Sequence, residues 1–165
     1  EVQSGFSRSG NFFAFQQNNI KPHVITMAKG MGNGFPIGGI LVHSDLKPKY
    51  GMLGTTFGGN HLACAASLAV LEIIQKDKLQ DHARSMETYF RAKAEKIKGI
   101  KIKGRGLMLG LAFDFEIGPL RKRLIYEKNI FTGGSSNKNV LRILPPLTVQ
   151  KKHFDRFFVA LEDLL

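Results

Sequence analysis

Hydrophobic and polar positions change period several times along the chain, and each change marks an element. Residues 23–28, HVITMA, are rich in β-branched side chains and have the length of a buried strand. Residues 37–43, IGGILVH, predict a second strand. Between them runs a glycine-rich loop, and Lys29 sits at the junction where the first strand stops. Residues 1–10 read as a strand end running into a loop, and residues 11–20 as a short aromatic helix before the Lys21-Pro22 turn. Residues 44–60 are irregular, with a short helix expected after Ser44. Asn60 is a good N-cap for the helix HLACAASLAVLEIIQK that follows. A charged amphipathic helix is expected over 79–97.

Past that helix the pattern shifts. GIKIKGRGLMLGLAFDFE alternates like antiparallel strands, and PLRKRLIYEKN reads as a helix. NVLRILPPLTV reads as a strand stopped by Pro145-Pro146, and QKKHFDRFFVALEDLL as an amphipathic helix. The expected fold class is α/β. Residues 1–80 read as part of a larger α/β layer, and residues 81–165 as a smaller α+β unit with a mainly antiparallel sheet.

Composition narrows the function classes. The 165 residues carry a formal net charge of +11. Such a charge admits an anionic polymer or membrane surface as partner, and equally a solvated basic face or a preference for small anionic ligands. No nucleic-acid motif and no aromatic-interleaved basic stripe accompanies the scattered lysines and arginines, so no nucleic-acid partner and no membrane partner is expected. The apolar runs are too short for a membrane span. The single cysteine, Cys64, has no internal disulfide partner, which favours a reducing, cytoplasmic setting; on its small-residue helix it reads as an inert buried thiol. The five histidines show no metal-ligand spacing, so no metal is expected. GMGNG lacks the pattern of a dinucleotide fingerprint and the Gly-Lys-Ser/Thr ending of a P-loop.

Lys29 carries the candidate chemistry. In open α/β sheets ligands bind at the carboxyl ends of strands, and a desolvated lysine there is a nucleophilic amine. A surface loop lysine has the same sequence context. GTTFGGN, residues 54–60, sets two hydroxyls and free backbone N–H groups before a helix, a combination suited to a phosphate or to a simple turn. Arg142, on a strand beside the proline pair, can fork onto a carboxylate or serve as a structural ion-pair partner.

Together, EVQSGFSRSG, AKGMGNGFPIGG, GTTFGGNHLACAA and LRILPPL make the chain resemble the class-III aminotransferases, the acetylornithine/ornithine group in particular. The resemblance implies a fold-type-I transferase dependent on pyridoxal 5′-phosphate (PLP). It implies that the chain holds the C-terminal part of the large domain plus the small C-terminal domain of a protein roughly double its length. By the same resemblance, Lys29 matches the lysine that forms the Schiff base with PLP and shuttles the proton. Val2 would pack on the cofactor ring and Gln3 would bond near its 3-hydroxyl. Thr56, with Thr55, would bind the phosphate held by the neighbouring subunit of a homodimer. Arg142 would bind the substrate carboxylate.

The implied reaction passes an amino group from acetylornithine, succinylornithine or ornithine to 2-oxoglutarate, a step of arginine biosynthesis. A 4-aminobutyrate aminotransferase and a non-catalytic basic binding module are the alternatives. The family's aspartate that pairs with the ring nitrogen would directly precede Glu1, and His61 stands where the family usually has proline. The expectation is that this stretch alone is inactive, or nearly so.

Overall fold

A computed structural model describes residues 1–165. Contacts divide the chain into two units, Glu1–Gln80 and Asp81–Leu165. In the first, β1 (Val24–Met27) and β2 (Gly39–Val42) pair antiparallel, with Val24 opposite Val42 and Met27 opposite Gly39. They form a two-stranded sheet of their own. The expectation of a buried first strand is corrected here: Val24 and Thr26 are exposed and Ile25 and Met27 only half-buried, and on β2 Ile40, Leu41 and Val42 are exposed too. Their apolar composition gives strand propensity, but burial needs a covering layer, and the pair has no third strand.

Residues 1–10 hold turns and no strand, and the only helical piece before β1 is a short 3-10 turn, Ala14–Gln17. Phe6, Phe12, Phe13 and Phe15 form an aromatic cluster beneath these turns, with Phe12 and Phe13 edge to face at 4.8 Å. The short helix expected after Ser44 is absent, and the segment is bend and turn. Pro48 lacks an N–H and turns Lys47 away from helical backbone, which explains the difference.

Helix α1 (His61–Lys76) begins where Asn60 Oδ1 accepts the Ala63 N–H at 2.9 Å. Only Ala63, Ser67 and Ile74 of this helix are buried, a narrow stripe. Cys64 lies off that stripe and is exposed, which corrects the expectation of a buried thiol.

The second unit is built on a three-stranded antiparallel sheet in the order β3 (Lys101–Arg105), β4 (Met108–Ala112), β5 (Val140–Ile143). Gly104 has φ +89°, and a Cβ there would lie 2.0 Å from the Met108 carbonyl oxygen. Only glycine fits that turn. Helices α2 (Leu79–Ala94), α3 (Gly118–Tyr126) and α4 (Lys151–Leu164) surround the sheet's apolar residues Leu109, Leu111, Leu141 and Ile143. Helix α2 stops at Ala94, short of the expected residue 97.

Phe90 on α2 has no exposed surface and meets Phe154 and Phe158 of α4 at ring-centroid distances of 5.1 and 5.0 Å. The two helices are also tied by Asp155, which accepts from Tyr89 Oη at 2.5 Å and from Lys93 Nζ at 2.7 Å. The alternate sheet positions Lys101, Lys103 and Arg142 are exposed, so the sheet presents one apolar and one basic face. Phe90→Ala removes the central ring of this core. A loss of about 3–5 kcal/mol in unfolding free energy is expected, read by denaturant titration.

Candidate functional site

Strand β1 ends in a turn that Lys29 makes possible. Lys29 has φ +48°, the left-handed region that costs a non-glycine residue about 1–2 kcal/mol. The chain then closes a single 3-10 turn, Lys29–Met31. The Lys29 carbonyl accepts from both Gly32 N and Asn33 N at 3.2 Å, and Ala28 O accepts from Met31 N at 3.0 Å. A Cβ on Gly32 would meet Phe35 O at 2.4 Å and Ile37 Cγ2 at 2.7 Å, so the loop folds back directly over this glycine. The Lys29 side chain is exposed and makes no hydrogen bond or ion pair. The desolvation expected for its amine is not supplied by these residues, because Lys29 and Gly30 lie exposed on the turn.

The opening turns reach this loop through Phe6, whose Cβ lies 3.5 Å from where a Cβ on Gly30 would sit. Those turns are fixed by Glu1. Its carboxylate accepts from Ser4 Oγ at 2.7 Å and from the backbone N–H groups of Ala14 and Phe15, each at 3.0 Å. Gln17 Nε2 adds a bond to Ser9 O at 2.6 Å. Burial pushes the Glu1 carboxyl upward, but the Ala14 N–H, the Ser4 hydroxyl and the Phe15 N–H outweigh it and hold the group below the usual carboxylate range. Val2 is exposed and Gln3 half-buried on the same turns. Ser7 is fully buried at φ +68°, with its hydroxyl unpartnered.

Thr55 and Thr56 lie exposed just ahead of α1. The Thr55 methyl occupies the space a Cβ on Gly58 would need, with Cγ2 only 2.0 Å away. Lys29, Val2, Gln3, Thr55 and Thr56 thus belong to the first unit.

Arg142 belongs to the second unit. It sits on β5 between Gly110 of β4 and Gly133, with which it exchanges two backbone hydrogen bonds of 2.9 Å. Its guanidinium has no acidic partner in the chain. It lines a cleft of about 370 Å³ together with Phe131, Gly133, Pro145 and His153. An unpaired guanidinium at the edge of an apolar cleft is suited to a carboxylate. No group of three or more His, Cys, Asp or Glu residues is arranged to hold a metal ion, and no helix is long and apolar enough to cross a membrane.

Comparison with known proteins decides the family. The profile described as Aminotransferase class-III matches residues 1–165. The chain belongs to the class-III aminotransferase family. Acetylornithine aminotransferase of Aquifex aeolicus (strain VF5) is 42% identical over 167 residues, a match covering 100% of this chain and 43% of that protein. Among solved structures, ornithine aminotransferase from Toxoplasma gondii ME49 is similar with a TM-score of 0.86 at 28% identity, covering 99% of this chain and 41% of that one. Acetylornithine aminotransferase from Elizabethkingia anophelis gives a TM-score of 0.83 at 26% identity, covering 99% of this chain and 44% of that one. The fold is therefore that of the fold-type-I transferases, represented here in part. The aminotransferase chain spans less than half the length of these relatives.

Two residues beside the candidate groups, one in each unit, have roles that local pattern does not announce. Glu1 read as part of a strand end, yet its carboxylate organises the opening turns. Gly133 falls between the predicted helix and strand, outside either element, and lies against Arg142.

The depressed Glu1 carboxyl gives a signed expectation. Its stabilisation is fully present above the unfolded value near 4.5 and is lost as pH falls through the lower folded value. Glu1→Gln should cost about 1 kcal/mol at neutral pH, discounted for partial exposure. Thermal melts from pH 7 downward should show the gap between the two proteins narrowing once the pH falls below about 4.5.

Proposed function

We propose that this chain is part of a PLP-dependent aminotransferase that moves an amino group from acetylornithine, or a close relative such as succinylornithine or ornithine, to 2-oxoglutarate. The observation that carries the reading is Lys29, an unpaired amine held on a left-handed turn at the end of β1. The names of the relatives, among them acetylornithine and ornithine aminotransferases, support the substrate class.

The donor set of the first unit fits PLP. A free primary amine suits the cofactor's aldehyde, and the exposed hydroxyls of Thr55 and Thr56 beside the start of α1 suit its phosphate. Lys29 would hold the cofactor through Nζ, Val2 would pack on its ring, and Gln3 would bond its ring hydroxyl. When bound, the cofactor would supply an electron sink for the substrate carbon that bears the transferred amino group. The chain's own work is positioning and proton transfer. Lys29 Nζ would take the proton from the substrate carbon that bears the transferred amino group, as a general base, and give it back as a general acid. Arg142 would fork onto the substrate carboxylate and hold that end of the substrate in place.

The division of residues 1–80 into a partial cofactor-binding domain and 81–165 into a small C-terminal domain belongs to this reading. So do a homodimer, in which Thr55 and Thr56 would bind the partner's cofactor phosphate, a cytoplasmic setting and a place in arginine biosynthesis.

Two substitutions in the full-length enzyme test the reading. Lys29→Ala should lower transamination by at least about 10²-fold, the usual worth of a positioned acid–base group. Arg142→Gln should raise KM for 2-oxoglutarate by about ten- to a hundred-fold, the loss expected for one charge-assisted pair. An active Lys29→Ala enzyme would overturn the assignment.

A further inference from the structure

We propose that Gly133 is the positioning residue for Arg142: it provides the space in which the guanidinium lies, and so sets the direction in which Arg142 presents itself to a carboxylate. The inference rests on the reading of Arg142 given above and assigns a second residue to that site.

Gly133 is not glycine for conformational freedom, since it is absent from the positive-φ glycines of the chain. The requirement is space. A Cβ at 133 would lie 2.7 Å from Arg142 Nε, 3.1 Å from Nη2 and 3.3 Å from Arg142 Cβ. The first two contacts are with the mobile end of a long side chain, not with backbone. The backbone cannot relieve them by separating, because Gly133 N–H and C=O both pair with Arg142 at 2.9 Å. With any larger residue at 133, the backbone bridge therefore stays and the guanidinium swings away.

On its other side Arg142 faces Gly110, where a Cβ would meet Val140 Cγ1 at 2.9 Å and no atom of Arg142 within the nearest contacts. The arginine is thus flanked by a glycine on β4 and by Gly133 in the bridge on its other side, but leans on only one of them. No acidic side chain competes for it, so the glycine surface is what orients the free guanidinium.

The test uses the full-length protein with arginine-selective ¹⁵N labelling, and kinetics on the same variants. In the unsubstituted protein a nuclear Overhauser contact between Arg142 Hε and the Gly133 Hα protons is expected, and its absence overturns the proposal without any variant. Gly133→Ala should shift the Arg142 Nε–Hε signal, leave the melting temperature nearly unchanged, and raise KM for 2-oxoglutarate several-fold with a smaller change in kcat. Gly110→Ala should leave the Arg142 signal in place. In an Arg142→Gln background, Gly133→Ala should add nothing further to KM. If Arg142→Gln raises KM and Gly133→Ala does not, the positioning role is wrong. If Arg142→Gln leaves KM unchanged, the carboxylate reading fails, and the Overhauser contact and signal shift still decide whether Gly133 seats the side chain.

Discussion

A lysine in left-handed backbone at the end of a strand is the constraint around which the first unit is arranged. The turn opens the connection over residues 28–38 from which β2 returns antiparallel beside β1. Its cost, of order 1–2 kcal/mol, is one that asparagine or glycine would reduce. A lysine kept there has to be held by its surroundings. The Lys29 carbonyl is doubly bonded, Gly32 is closed over by Phe35 and Ile37, and Gly30 is met by Phe6. The result is an amine whose backbone is fixed while its side chain remains free.

The second unit solves a related problem by different means. Its core is closed by Phe90, Phe154, Phe157 and Phe158 on one face of a three-stranded sheet, so the sheet is firm where Arg142 is mounted. The strand fixes the Cα of Arg142, and a bare neighbouring glycine leaves room for the guanidinium. Arg142 therefore stands on a regular strand and Lys29 on the turn just beyond one, each with an unpaired polar head. That is the arrangement a site needs when positioning matters more than local ion pairing.

Much of the fold is legible in the sequence where local chemistry decides it. Asn60 announces α1, the alternation over 101–112 announces β3 and β4, and the apolar stripe of residues 151–164 announces α4. What local pattern cannot supply is the covering layer. Val24, Leu41 and Cys64 look like buried residues and are exposed, because burial depends on elements brought from elsewhere. Of the candidate site, the place of Lys29 at a strand end follows from the apolar run before it and the glycines after it. The inward carboxylate of Glu1 and the space left by Gly133 do not, since each depends on a contact with a residue more than eight positions away.

The central claim is that one amine, on one turn, carries the chemistry. The most direct measurement is to mix the full-length protein with PLP, record the visible absorption band, reduce with borohydride and map the modified peptide. The account predicts a single cofactor adduct, on Lys29, among the many lysines of a chain with net charge +11. An adduct on another lysine, or label spread across the basic surface, would contradict it.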